Sequence, residues 1–203
     1  MPNSAGNRDH RGFSLLEVSI VVSIGLILTA VGLPRMNNVI ATMKLRSSMT
    51  TVSGFLQNVR MLSVKRNTTM TARNFNRTTR PYSLVYFVKD ATDSSTTPTV
   101  RDSQVEMEAP ITPMTTPSGP SAPPAITNSA LGLLANPETG DPSFNSLGLP
   151  CKYDTSTNLC ANLAFIKYFK DNRIGGSGGW AAISLTPAGR LKRWFWNGSA
   201  WID

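Results

Sequence analysis

From Phe13 to Leu33 the chain reads FSLLEVSIVVSIGLILTAVGL, 21 residues in which Glu17 is the only charge. A helix of that length, at about 1.5 Å per residue, spans roughly 30 Å, the thickness of a bilayer's hydrocarbon core. The polar segment MPNSAGNRDHRG precedes it, with Arg8 and Arg11 beside the apolar run. Basic flanks stay cytoplasmic, so the expectation is a single pass through the bacterial inner membrane with the C-terminal part in the periplasm. A cleavable secretory signal fits poorly, because the run is long and Leu28-Thr29-Ala30 is a weak cleavage context. A plain signal anchor explains the length and the flank but not Glu17. A carboxylate inside a membrane helix costs on the order of 2.5 to 3.5 kcal/mol, so it requires a partner and a role.

The residues Gly12-Phe13-Ser14-Leu15-Leu16-Glu17, followed by the apolar run, closely resemble the processing site of type IV prepilins. The resemblance implies that prepilin peptidase cuts between Gly12 and Phe13 and that the new amine of Phe13 is N-methylated. Glu17 is then the fifth mature residue and Pro34 the twenty-second, where the family carries its glutamate and its helix-kinking proline. Phe13, Glu17 and Pro34 would thus serve filament assembly. The methylated amine stays cationic and can pair with a Glu17 carboxylate in the apolar filament core, which selects correctly registered subunits. Gly25, Gly32 and Pro34 weaken the helix locally, by about 1 kcal/mol per glycine and more for proline. The implied partners are the peptidase, other pilins or pseudopilins, and inner-membrane lipid; no cofactor is implied.

Between Glu17 and Asp90 there is no acid, whereas Arg35, Lys44, Arg46, Arg60, Lys65, Arg66, Arg73, Arg77, Arg80 and Lys89 all fall there. Such a one-sided field suits an anionic partner, and a solvated helix face is the plainer reading. Val39, Met43, Met49, Val52, Leu56, Val59 and Leu62 read as an apolar stripe of a continuing helix, expected to fade around Asn67 to Thr71. The segment from Val59 to Arg73 resembles the helix end and first strand of the GspH/FimT group of minor pilins and pseudopilins. The expected organisation is a leader over 1–12, a transmembrane helix over 13–33, its amphipathic second half over 34–72, and an antiparallel β domain over 81–203. The fold class is α+β, a long helix continuing into a globular domain with an antiparallel sheet.

Within that domain, 82–89, 163–169 and 180–185 read as strands, with a shorter one near 104–108. Phe144-Asn145-Ser146-Leu147-Gly148 resembles the family's strand-and-glycine element. The Ser/Thr/Pro-rich segment 91–128 reads as a loop that buries little. Cys151 and Cys160 are separated by eight turn-rich residues. Outside the inner membrane a disulfide there would contribute about 2 to 3 kcal/mol, and two buried free thiols are the alternative. Asn197-Gly198 favours a two-residue type I′ turn. That register sets Trp196 against Ser199, Phe195 against Ala200, Trp194 against Trp201 and Lys192 against Asp203.

Gly189-Arg190-Leu191-Lys192-Arg193 resembles the glycine-arginine tail of FimT-like pilins that bind DNA. Arg190, Lys192, Arg193 and Trp194 are therefore candidates for phosphate contact and stacking, and DNA is the alternative partner. The leading reading is structural: a minor pilin or pseudopilin of a type IV pilus or type II secretion pseudopilus. An enzyme finds little support, since His10 is the only histidine and no nucleophile motif or phosphate-binding loop is present. That also excludes a histidine-based metal site in the mature domain. Glu138, Asp141 and Asp154 read as scattered solvated acids.

Overall fold

A computed structural model of the protein describes residues 14–77, 84–107, 110–114, 137–175 and 178–203, with positions 31 and 33–35 described by backbone alone. Helix α1 runs from Leu15 to Arg66, 52 residues. Its end is set by local chemistry. Asn67 takes a left-handed φ of 50°. Its N–H bonds the Val64 carbonyl at 3.2 Å, and the Thr68 N–H bonds that of Ser63 at 3.2 Å. This is the Schellman pattern, which satisfies the last carbonyls, and Lys65 and Arg66 complement the negative helix end. The helix thus ends just before the polar stretch where the sequence reading had it fade.

Eleven strands follow among the described residues: β1 (Met70–Asn76), β2 (Leu84–Asp90), β3 (Gln104–Met107), β4 (Ile111–Met114), β5 (Ser143–Phe144), β6 (Pro150–Asp154), β7 (Leu159–Asn162), β8 (Phe165–Asp171), β9 (Trp180–Leu185), β10 (Leu191–Trp196) and β11 (Trp201–Ile202). They form not one sheet but two, ordered β3-β2-β1-β5-β6-β7 and β11-β10-β9-β8-β4. Every pairing in both is antiparallel. The α+β class holds.

One apolar core joins the second half of the helix to both sheets. Leu45, Met49, Val52, Leu56 and Val59 bury at alternating steps of four and three, against Tyr86 of β2, Phe144 of β5, Phe169 of β8 and Ile183 of β9. Each such side chain contributes about 1.5 to 3 kcal/mol. Two members of the expected stripe lie elsewhere: Val39 is 53% and Met43 65% exposed. A step of six residues, Met43 to Met49, turns a helix by roughly 240°, so Met43 cannot share the face of Met49. Leu45 and Phe55 fill the core instead.

In the expected loop 91–128, β3 falls where the short strand near 104–108 was expected, whereas β4 was not expected. β3 pairs with β2 in the first sheet and β4 with β8 in the second, so the segment passes between sheets. Met107 and Ile111 are buried in the core. Pro113 is tolerated in β4 because that strand is at a sheet edge, where a missing N–H costs no ladder bond. Residues 115–136 lie outside the described residues. A second apolar cluster gathers Ile166, Tyr168, Trp180, Ala182 and Trp194. It uses the residues of β8, β9 and β10 that alternate with those in the main core.

Candidate assembly helix and C-terminal hairpin

The described residues up to Val39 form a compact unit of their own. Glu17 stands in the first turn of α1, where the helix dipole favours an anion. Around it Leu15, Leu16, Val18, Ile20, Val21, Val22, Ile24, Leu26, Ile27 and Leu28 are all half or more exposed. A helix apolar on every side is stable only when lipid or other protein covers it. Its hydroxyls ask nothing of those surroundings: Ser19 Oγ donates to the Leu16 carbonyl, Ser23 Oγ to that of Ser19 and Thr29 Oγ1 to that of Gly25. Glu17 makes no hydrogen bond or ion pair with any described residue.

Among the described residues no helix is long and apolar enough to cross a membrane. The described side chains of the run extend from Leu15 to Ala30, roughly 24 Å of helix. The structure therefore does not show 13–33 as a membrane span. Gly12 and Phe13 lie outside the described residues, and so does the side chain of Pro34, whose backbone continues the helix.

The prokaryotic N-terminal methylation motif matches residues 7–33, a stretch that holds Gly12, Phe13 and Glu17. The N-terminus is thus similar to that of type IV prepilins. No curated protein and no solved structure matches the chain.

At the other end of the chain the hairpin differs from its expected register. Trp196 pairs with Trp201 and Phe195 with Ile202, so the loop holds four residues, Asn197 to Ala200. The Asn197 carboxamide oxygen accepts from the backbone N–H groups of Ser199 and Ala200 at 2.9 and 2.8 Å and from Ser199 Oγ at 3.0 Å. That side-chain cap outweighs the two-residue turn which Asn-Gly alone favours. The slip is by two residues, and side chains repeat every two, so each keeps its sheet face. Lys192 still reaches Asp203, at 2.7 Å.

The four candidate DNA-contact residues are not gathered on one surface. Trp194 is 5% exposed, and its Nε1 donates to Ser184 Oγ at 3.0 Å. Lys192 lies 4.0 Å over the Trp194 ring. Arg193 faces the other way and donates to Thr50 Oγ1 of the helix at 2.8 Å. Arg190 is exposed at the β9–β10 turn.

Cys151 and Cys160 are joined in a disulfide across β6 and β7. Glu138, Asp141 and Asp154 are each engaged locally: Glu138 with Lys152 at 2.9 Å, Asp141 with Lys167 at 2.7 Å, and Asp154 with Ser156 Oγ at 2.7 Å. The sequence reading missed Arg60, whose Nη1 donates to the Gly189 carbonyl at 3.2 Å. Its signal was there in the positions Gly148 and Gly189, both with φ above +70° and both closely approached by the Arg60 side chain.

Proposed function

We propose that this chain is a structural minor pilin or pseudopilin of the GspH/FimT group. Prepilin peptidase cuts it between Gly12 and Phe13, and Phe13 is N-methylated. Residues 13–33 hold it in the inner membrane, with the remainder in the periplasm, until it enters a type IV pilus or a type II secretion pseudopilus. Its role is assembly, not catalysis. The observation that carries this reading is Glu17, an acid without a described partner in an uncovered apolar helix that lies within the methylation motif. A neighbour's methylated amine supplies the missing cation. Mass spectrometry of the protein from its host tests the proposal. The expected N-terminus is N-methyl-Phe13; a protein starting at Met1, or trimmed near Ala30 and released, would overturn it.

DNA binding through Arg190, Lys192, Arg193 and Trp194 draws less support. Trp194 is packed, Lys192 is paired with Asp203, and Arg193 is on the opposite strand face. The structural reading stands without it.

A further inference from the structure

Helix α1 and strand β10 meet along a seam that three arginines cross. The Arg46 guanidinium lies over the Phe195 ring, 5.2 Å from its centroid. Arg193 Nη1 donates to Thr50 Oγ1 at 2.8 Å, and Arg60 Nη1 to the Gly189 carbonyl at 3.2 Å. Along this seam opens a groove of about 300 Å³ lined by Thr50, Ser53, Gly54, Gln57, Leu191 and Arg193. Gly54 leaves its floor open, with nothing within 4 Å of where a Cβ would stand. No acid lines the groove, and neither α1 beyond Glu17 nor β10 contains one.

Arg46, Arg60 and Arg193 form no ion pair among the described residues. Each guanidinium carries five donors and spends few of them on the seam. Glu17 apart, the acids among the described residues have partners elsewhere. Asp93 and Asp102 pair with Lys89, Glu106 with Arg77, Glu138 with Lys152, Asp141 with Lys167, Asp171 with Arg173 and Asp203 with Lys192. Asp90 and Asp154 accept from their own turns. Among the described residues of the globular unit, a second copy therefore has no uncommitted carboxylate to offer. That leaves a different protein as the occupant that the described residues favour.

We propose that this groove docks an acidic segment of a different protein, with a carboxylate seated at Arg193 beside the Gln57 amide. The size is at the small end of ligand sites, roughly 300 to 1,000 Å³, and suits one or two side chains. The Thr50 and Ser53 hydroxyls already donate to the Arg46 and Thr50 carbonyls, which leaves Arg193 and Gln57 as the donors, and Leu191 receives the side chain's methylenes. No aromatic residue lines the groove, so nucleic-acid bases find no platform to stack on. In the filament reading such a segment belongs to a neighbouring subunit.

The test is fluorescence anisotropy of the full chain in detergent micelles, titrated against labelled hexaglutamate, hexaglutamine and an oligothymidylate of matching charge. Hexaglutamate should bind, more weakly as salt rises, and hexaglutamine should not. Gln57→Glu places a like charge in the groove at an exposed helix position. It should weaken hexaglutamate binding by about tenfold or more with the thermal midpoint retained, and Arg193→Gln should weaken it similarly. The proposal fails if hexaglutamate does not bind, or binds Gln57→Glu as well as the unmodified protein. It fails also if oligothymidylate binds through these residues about tenfold more tightly, which would make the groove a nucleic-acid site. The titration does not involve residues 12–17, so its failure leaves the processing result untouched.

Discussion

Arg60 and Gly189 hold each other in place: Nη1 bonds the glycine's carbonyl at 3.2 Å, and a Cβ built on Gly189 would stand 2.9 Å from that same nitrogen. Gly189 has a φ of +81°, so any other residue there is strained as well as crowded. Gly189→Ala should destabilise the protein by about 1 to 3 kcal/mol. In an Arg60→Ala background the crowding vanishes and the φ strain remains. A double-mutant cycle by chemical denaturation should therefore show a smaller cost for Gly189→Ala in that background. Equal costs would mean that Arg60 does not constrain the turn.

Tyr86 carries a different kind of tension. Its ring packs near those of Phe55 and Phe169, with centroids 6.2 and 6.3 Å away, but its hydroxyl is buried and has no hydrogen-bond partner among the described residues. An unsatisfied buried polar group costs about 1 to 3 kcal/mol, so Tyr86→Phe should be neutral or stabilising by up to that amount. Burial, and secondarily the charge of Asp141, pushes the phenol's pKa far above its ordinary value of 10.0. The sign follows: the unfolded chain ionises first, so stability is fully present below pH 10 and falls as the pH rises beyond it. Tyr86→Phe lacks that component. Melting both proteins across this range should show the variant's advantage widening above pH 10.

Acid acts at the other end of the scale, on the turn after β2. The Ser95 hydroxyl and backbone N–H, helped by Lys89, hold the Asp93 carboxyl down at about 2. Its hydrogen bond to Asp102 is the main cause that raises the Lys89 ammonium above its ordinary value. For Asp93 the depressed pKa means a contribution present above the unfolded value of 3.8 and lost as the pH falls from there towards 2. Carboxyl-carbon NMR should find the Asp93 midpoint near that lower limit. Ser95→Ala should move it upward, and an unchanged midpoint would assign the shift to the backbone N–H of residue 95 and Lys89.

The disulfide is diagonal in the β6–β7 ladder, where Cys151 pairs with Asn162 and Tyr153 with Cys160. β7 is at a sheet edge and mostly exposed, so little apolar packing holds it. Reduction should cost up to about 2 to 3 kcal/mol. Amide exchange should rise across β7 while β1 and β2, deep in the same sheet, stay protected. Uniform loss of protection would instead show that the bond supports the whole sheet.

The parts legible in the sequence were those with a local cause. Trp180 to Leu185 was readable as a strand from its composition, and the helix end from the polar stretch at Asn67. The spacing of the two cysteines suggested the disulfide and left two free thiols as the alternative, and the structure joins them. What escaped depended on long-range partners. β4 is four residues containing a proline, a poor strand alone, and it exists because β8 offers an edge. The hairpin register escaped because Asn197 can cap a four-residue loop as readily as it can start a two-residue one. Arg190, Lys192 and Arg193 looked like one cationic cluster because sequence proximity hides strand alternation, which sends Lys192 and Arg193 to opposite faces. Glu17 was readable at once, because an acid in an apolar run is conspicuous in any context.

Glu17 also gives the sharpest test of the filament reading. Replacing it with alanine removes the charge from a helix whose other side chains are apolar or satisfied by their own backbone, so the segment should insert in the membrane at least as readily. The peptidase's cut at Gly12 comes before Phe13 and should proceed, and mass spectrometry should still find N-methyl-Phe13. What is lost is the cation's partner when subunits stack. A neighbour's amine, buried without its counter-charge, costs about 3 to 5 kcal/mol, enough to disfavour incorporation by more than a hundredfold. Sheared filaments should therefore contain little of the Glu17→Ala protein while membranes contain the normal amount. Glu17→Asp shortens the reach but keeps the charge and should recover part of the incorporation. If Glu17→Ala enters filaments as well as the unmodified protein, the acid has another purpose.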